Sequence, residues 1–207
     1  RLNRRQRQMC IRDRLYIGVD AEATIDRSTI SANTSALHGG GVYVEADGYA
    51  EISNSTLALN TATNAGGGLF GESGSNGSGF TTSLNHITLY SNTAAAGAGL
   101  AGGGTRVRNS AFADNTLSGV PVPSDCDNNV TSNGHNVFYT PSSCPGISGS
   151  DDSSSTALGP LNITPTQWYA FPTVGDVADD ESADCSALDQ LSTTRSTPQC
   201  DIGAVEN

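Results

Sequence analysis

The side chains able to do acid–base or ion-binding chemistry are spread thinly along this chain: Asp26 and Asp114, Glu45 with Asp47, Glu51, Glu72, and the pair Arg106 and Arg108. Two reaction types would use such a set. A glycosidase needs carboxyl groups converging at separations of about 5 to 9.5 Å. A polysaccharide lyase needs carboxylates holding Ca²⁺ beside a basic or cationic residue that takes the proton. Nucleophile chemistry has less support, because Gly71-Glu-Ser-Gly-Ser75 lacks the second Gly of G-x-S-x-G and no helix follows it. The Gly triplets lead into neither G-K-[ST] nor G-x-G-x-x-G, so they are not phosphate loops. Whether the acids meet depends on the elements that carry them.

Those elements are announced by a repeat. An aliphatic residue is followed eight positions later by Asn in Ile25 to Asn33, Ile52 to Asn60, Leu84 to Asn92 and Val107 to Asn115. Thr follows each Asn, at Thr34, Thr61, Thr93 and Thr116. After the first three, a small-residue triplet leads to Val42, Leu69 and Leu100, through Gly39 to Gly41, Gly66 to Gly68, and Gly97-Ala98-Gly99. The Asn spacings of 27, 32 and 23 residues define a unit of roughly 23 residues with insertions, the range of solenoids. No helical period is present, and no Pro interrupts Ala23 to Thr116, as continuous parallel ladders require. The expected fold is all-β, a right-handed parallel β-helix, with short strands joined by sharp bends.

Aligning the units stacks Ile25, Ile52, Leu84 and Val107 in one core column and Ile30, Leu57, Leu89 and Phe112 in another. Asn33, Asn60, Asn92 and Asn115 are expected at a bend, where Asn tolerates a left-handed backbone and its amide can bond the amide one coil away, about 4.8 Å distant. The same alignment sets Asp26 over Ser53, Asn85 and Arg108, while Asp114 follows Ala32, Leu59 and Ser91. The acids therefore fall in different columns. His86, level with Arg27, Asn54 and Asn109, is expected at an exposed or bend position and inert.

Net charge is −11, but six of the ten Arg lie in the first 14 residues, so residues 15–207 carry −16. Such a surface disfavours nucleic acid. The opening RLNRRQRQMCIRDR has no apolar run of signal-peptide length behind it. It resembles translated sequencing adapter, and residues 1–14 are set aside as an artefact or disordered arm. With no initial Met, an upstream part is expected to be missing. No membrane span is expected in this fragment.

Without Cys10, four cysteines remain: Cys126, Cys144, Cys185 and Cys200. An even count in a Lys-free chain rich in Ser, Thr and Gly suggests an oxidising compartment. The economical pairing, one of three, joins Cys126 to Cys144 and Cys185 to Cys200, each bond contributing about 3 kcal/mol in the chain-entropy model. Zinc is the rival, against which no C-x-x-C occurs and His38, His86 and His135 are scattered. Asp151-Asp152 and Asp179-Asp180-Glu181 could hold Ca²⁺, though D-x-D-x-D-G spacing is missing. No other cofactor is expected.

The organisation read from this is coils over 15–119, then a degraded last coil and a disulfide-containing C-terminal cap over 120–207, folding over the end of the solenoid to cover its strand edges. Asp189, Arg195, Asp201 and Glu206 are expected to form a salt-bridged part of that cap.

Phe112-Ala-Asp-Asn115, its variants Ile30 to Asn33 and Leu57 to Asn60, and the Gly-Gly-Val/Leu segments resemble the FxxN and GGA[ILV] repeats of bacterial polymorphic outer-membrane proteins. Leu158-Gly-Pro-Leu161, Asp189-Gln190, Arg195 and Cys200-Asp-Ile-Gly-Ala-Val-Glu206 resemble the end of choice-of-anchor Q domain proteins, although Leu191-Ser192 replaces Arg-Gly and Ser196 replaces Pro. That resemblance implies a secreted bacterial protein attached to the cell surface. The reading is a non-catalytic adhesion or display module with an extracellular glycan or a host or surface protein as partner. The alternative is a polysaccharide lyase or glycosidase of the β-helix class.

Overall fold

β-Branched and aliphatic residues at matching positions of successive repeats can only be buried together if each repeat makes one turn of chain and stacks on the next. The computed structural model describes residues 15–75, 79–127, 129–138, 144, 152–153, 161–163, 168–169, 185, 187–195 and 200–205. The opening segment and its Cys10 lie outside them.

Each coil contributes to three parallel sheets. Sheet A holds β1 (Leu15–Ile17), β5 (Val42–Val44), β8 (Leu69–Gly71) and β11 (Leu100–Ala101). Sheet C holds β4 (Thr34–Ser35), β7 (Thr61–Ala62), β10 (Thr93–Ala94) and β14 (Thr116–Leu117), with the four threonines in register. Sheet B is the widest: β2 (Glu22–Asp26) and β3 (Thr29–Ser31) pair with β6 (Tyr49–Ala58), and β6 with β9 (Thr82–Tyr90). Next come β12 (Thr105–Arg108) and β13 (Ala111–Ala113), then β15 (Thr131–Ser132), β16 (Val137–Phe138) and β17 (Asp152–Ser153). A short antiparallel pair, β18 (Asn162–Ile163) with β19 (Trp168–Tyr169), lies outside the coils.

Both core columns are in register. Ile25, Ile52, Leu84 and Val107 align, as do Ile30, Leu57, Leu89 and Phe112. Phe138 extends the second column, its ring 4.9 Å from that of Phe112. Fully burying such a side chain stabilises by about 1.5–3 kcal/mol. Leu57→Ala, deep in the stack, would cost about 2–5 kcal/mol.

Beside this core runs a polar file with a direction. Asn33 donates from its backbone N and its Nδ2 to Asn60 Oδ1 at 3.1 and 3.0 Å. Asn60 does the same to Asn92, and Asn92 to Asn115. At the far end Asn115 Nδ2 donates to the buried Asp125 carboxylate at 2.9 Å. Gly41, Gly68 and Gly99 lie against the amides of Asn60, Asn92 and Asn115, where a Cβ would press on them. One coil further on, the residue level with Gly99 is Asp125, and its side chain occupies that space.

The left-handed backbone expected at the Asn lies one residue earlier. Ala32, Leu59, Ser91 and Asp114 have φ between 51° and 58°. That residue makes the bend, leaving the Asn free to turn its amide inward. A second left-handed column bends sheet B in mid-strand at Arg27, Asn54, His86 and Asn109. His86 sits at the expected bend, but it is buried and not exposed.

The chain from Val120 to Pro123 makes an excursion and then rejoins the solenoid, with Cys126 bridging Leu100 on sheet A. Two disulfides, Cys126–Cys144 and Cys185–Cys200, span Cα distances of 4.7 and 5.9 Å.

The described part of the C-terminal tail lies elsewhere than expected. It runs along the flank of sheet B, across the coils. Gln190 Nε2 donates to Thr29 Oγ1 and Thr56 Oγ1 donates to Gln190 Oε1, at 2.9 and 2.6 Å. Ala204 N donates to Thr88 Oγ1, and Gly203 N to the Asn109 carbonyl. Ile202 packs with Ala111, Ala113 and Val137. The outward Thr29, Thr56, Thr88 and Ala111 of these coils form an uncharged column, and the tail bonds to its hydroxyls. Arg195, 3 % exposed, donates to the carbonyls of Asp201 and Gly203 at 3.0 and 2.8 Å and reaches Asn54 Oδ1 at 3.5 Å. Glu206 lies outside the described residues.

Candidate binding face

The acids identified in the sequence divide into two groups. One group braces coils. Asp26 Oδ1 accepts from Ser53 Oγ and Asn54 Nδ2 on the next coil, while Oδ2 meets Arg27 at 3.0 Å. Glu45 accepts from Tyr16 Oη at 2.5 Å and from Val19 N. Glu72 accepts from Tyr43 Oη and from Ala46 N. Asp47 accepts from Ser75 N and Oγ at 2.7 and 2.6 Å. Asp114 holds Tyr90, whose phenol is raised above its ordinary value by burial and then by that carboxylate. The Tyr43 phenol is likewise raised, first by burial and then by Glu72.

The expectation that the acids occupy different columns holds for Asp26 and Asp114 but fails for Glu45 and Glu72. These follow Val44 and Gly71, which are paired, so they stand level on adjacent coils. Beside them Tyr16, Tyr43 and Phe70 form a stack with ring centroids 5.5 and 5.7 Å apart, the planes within 8°. The sequence held this signal, since 16, 43 and 70 are 27 residues apart, as are 45 and 72 and the first two ladder Asn. A carboxylate one coil from another, each fixed by a phenol and a backbone N–H, is built as a strap.

The second group lies on the outer surface of sheet B, in the half that precedes the mid-strand bend. There Thr24, Glu51, Ser83, Arg106 and Thr131 form one outward column, and Asp26, Ser53, Asn85 and Arg108 the next. Strand alternation forces this placement, because Ala50, Ile52, Leu84 and Val107 point inward and are buried. Arg106 stacks on the Phe80 ring at 3.8 Å, at the end of the insertion that lengthens the third repeat. Tyr49, 42 % exposed, stands beside this column. Its phenol is raised by burial and by Glu51, while Arg106 pulls it back down. The ring therefore feels both charges. On the other side the strip is bounded by the tail, through Arg195 at Asn54 and Gly203 at Asn109.

Chemically, the open strip presents hydroxyls, the Asn85 amide, the rings of Tyr49 and Phe80, the Glu51 carboxylate and, two coils away, the guanidiniums of Arg106 and Arg108. Among the described residues no group of three or more His, Cys, Asp and Glu side chains is placed to hold a metal ion. Asp151, Asp179, Asp180 and Glu181 lie outside the described residues.

Three parallel sheets on successive coils and an Asn file, with no helix among the described residues, define the class: a β-solenoid. The family model for the right handed beta helix region matches residues 15–156, and the chain belongs to that family. No curated protein and no solved structure shows a significant match to it. Among the described residues no helix is long and apolar enough to cross a membrane.

Proposed function

We propose that this protein is a non-catalytic recognition or display module of the bacterial cell surface, secreted into an oxidising environment, whose open half of sheet B binds an extracellular glycan. The observation that carries this reading is the division of the acids. Asp26, Glu45, Asp47 and Glu72 are committed to hydrogen bonds that tie adjacent coils, whereas the strip between the tail and Phe80 carries the Glu51 carboxylate, the Arg106 and Arg108 guanidiniums and hydroxyls on a floor of paired strands. Solenoids suit extended recognition surfaces of this kind. The two disulfides support an extracellular setting.

A second reading, a polysaccharide lyase, draws on Tyr49 standing between Glu51 and Arg106. Its phenol is held neutral by burial and by Glu51, which opposes service as a base at physiological pH. Incubation with neutral and acidic polysaccharides separates the two readings. Reversible retention with no new reducing ends and no unsaturated products is expected. Product formation above a no-protein control would overturn the non-catalytic reading.

A further inference from the structure

The amides of the Asn file are spent on neighbouring coils, so an Asn left facing solvent is a chemically different group. Tripeptides of the form Asn-x-Ser/Thr, with no Pro in the middle, begin at Asn33, Asn54, Asn76, Asn129 and Asn162. This pattern is the acceptor for N-linked glycosylation in secreted chains, and it requires a surface position. The fold sorts the five. Asn33 and Asn54 are 1 % and 5 % exposed. Asn33 Nδ2 donates to Asn60 and Asn54 Nδ2 to Asp26, so a sugar on either nitrogen would displace a bond between coils. Asn76, and Thr164 of the tripeptide that begins at Asn162, lie outside the described residues. In Asn129-Val130-Thr131, by contrast, Asn129 and Thr131 are both exposed, while Val130 between them is buried in the core.

The local geometry holds this acceptor outward. Asp127 Oδ1 accepts from Asn129 N at 3.0 Å and Oδ2 accepts from Gly102 N at 3.0 Å, which pins the turn to the preceding coil. Val130 anchors the other side. The Asn129 side-chain amide itself bonds no described residue. Thr131 then begins β15, which pairs with β12 on one side and has no partner on the other among the described strands. The tripeptide therefore enters an open sheet edge, which another protein can approach.

We infer that Asn129 is an N-glycosylation acceptor, modified by an oligosaccharyltransferase that takes its glycan from a lipid-linked diphosphate. Asn129 Nδ2 forms the bond to the anomeric carbon of the sugar as the carbon–oxygen bond to the diphosphate breaks. One amide proton passes to a base of the transferase, and the lipid diphosphate leaves. The exposed Thr131 hydroxyl, two residues on, gives the transferase the contact that separates Asn129 from Asn133, which is also exposed but has His135 in the hydroxyl position. The attached glycan would stand at the free edge of β15, where it obstructs pairing with another chain. This inference rests on the secreted setting proposed above and adds a covalent modification to it.

The test is a transfer reaction in vitro on the folded, oxidised full chain, with membranes carrying an oligosaccharyltransferase and its lipid-linked oligosaccharide, read by intact mass and by peptide mass mapping. A short Asn-x-Thr peptide is the positive control. A glycan is expected at Asn129 and none at Asn33, Asn54 or Asn133. After reduction and denaturation, Asn33 and Asn54 should become acceptors as well. Thr131→Ala should abolish transfer to Asn129, and Thr131→Ser should keep it. No transfer to Asn129 in the folded chain, while the control peptide reacts, would overturn the acceptor. Transfer to Asn33 or Asn54 in the folded chain would overturn the burial argument that selects Asn129. Both outcomes are read on unsubstituted protein, so they decide the matter even if a Thr131 variant folds poorly. Failure at Asn129 leaves the secreted setting standing, because the reaction needs no export. That setting falls if Cys126, Cys144, Cys185 and Cys200 titrate as free thiols in protein taken from the cells that make it.

Discussion

The two halves of β6 and β9 share one interior and differ entirely outside. Inward, Ile52 and Leu84 before the bend and Leu57 and Leu89 after it are equally buried. Outward, the first half carries Glu51, Ser53, Ser83 and Asn85, and the second carries Thr56, Ala58, Thr88 and Tyr90. The second half is covered by the tail, and its hydroxyls are used: Thr56 bonds Gln190 and Thr88 bonds Ala204. A charged side chain costs more to bury than a threonine hydroxyl that finds a partner, so the outer face of a coil records whether anything lies on it. The bend at Asn54, His86 and Asn109 separates a surface covered by the tail from one the tail leaves uncovered.

Both halves hang on the Asn file, so the largest effect comes from cutting it. In Asn92→Ala the backbone N and Nδ2 of Asn60 lose their acceptor, and the Leu57 carbonyl and Asn115 Oδ1 lose a donor. At about 1–3 kcal/mol for each buried group left unsatisfied, partly recovered by relaxation, a loss of about 4 kcal/mol is expected by denaturant unfolding. Asn33→Ala should cost less than half of that, because Asn33 Oδ1 has no donor among the described residues and only the Nδ2 bond is lost, the backbone N keeping its own bond to Asn60. Equal losses at the two sites would show that the file does not act as a directed chain of bonds.

Next in size is a substitution confined to the covered half. Arg195→Ala removes the donors to the Asp201 and Gly203 carbonyls, which the tail buries against the coils. A loss of about 3 kcal/mol is expected. Amide exchange should accelerate at Gly203 and Ala204, which bond the Asn109 carbonyl and Thr88, and stay slow at Ile52 and Leu84. If exchange rose equally on both sides of the bend, the tail would be part of the coil core and not a separate cover.

The coils and the tail were unequally legible in the sequence, and the reason is physical. Register in a stacked solenoid repeats a local choice, so Ile25, Ile52, Leu84 and Val107 stand out from their offsets alone. The turn residue does not, because a left-handed bend was filled by Ala32, Leu59, Ser91 and Asp114, four residue types with no common chemistry. Asp125 was hidden because it enters the file sideways, from the glycine column of the last coil. The hydrogen bonds from the tail to the coils join residues 94 to 161 positions apart and occur once, so no periodicity could carry them. A trace did exist: Thr29, Thr56, Thr88 and Ala111 form an outward column without charge, unlike Asp26, Ser53, Asn85 and Arg108 a few positions earlier. The open strip was legible as residues but not as a face, because burial of one half by the tail is what defines the other.

Smaller still are substitutions on the open half. Glu51→Gln and Ser83→Ala should each change stability by no more than about 0.5 kcal/mol, the usual range for surface positions without a specific bond. Thermal unfolding checks this, and a loss above about 1 kcal/mol at either site would mean that the strip is braced like the rest and not free for a partner.

The finest distinction between the halves is electrostatic, and it lies in two phenols. Tyr49 on the open half and Tyr90 on the covered half are both raised above 10.0, each chiefly by burial. The neutral phenol is thus favoured by the fold. Each contributes stability that is complete below the unfolded value near 10 and is lost as pH rises through the higher folded value. Unfolding midpoints should therefore fall in alkali, and Tyr49→Phe and Tyr90→Phe should each flatten part of that fall. The two differ in the charges beside them: Tyr49 has Glu51 pushing its phenol upward and Arg106 drawing it down, whereas Asp114 pushes the Tyr90 phenol upward. Arg106→Ala should raise the Tyr49 titration further, followed by phenolate absorbance against the Tyr49→Phe background, and leave Tyr90 where it was. A shift of both, or of neither, would mean that the guanidinium does not face the open strip.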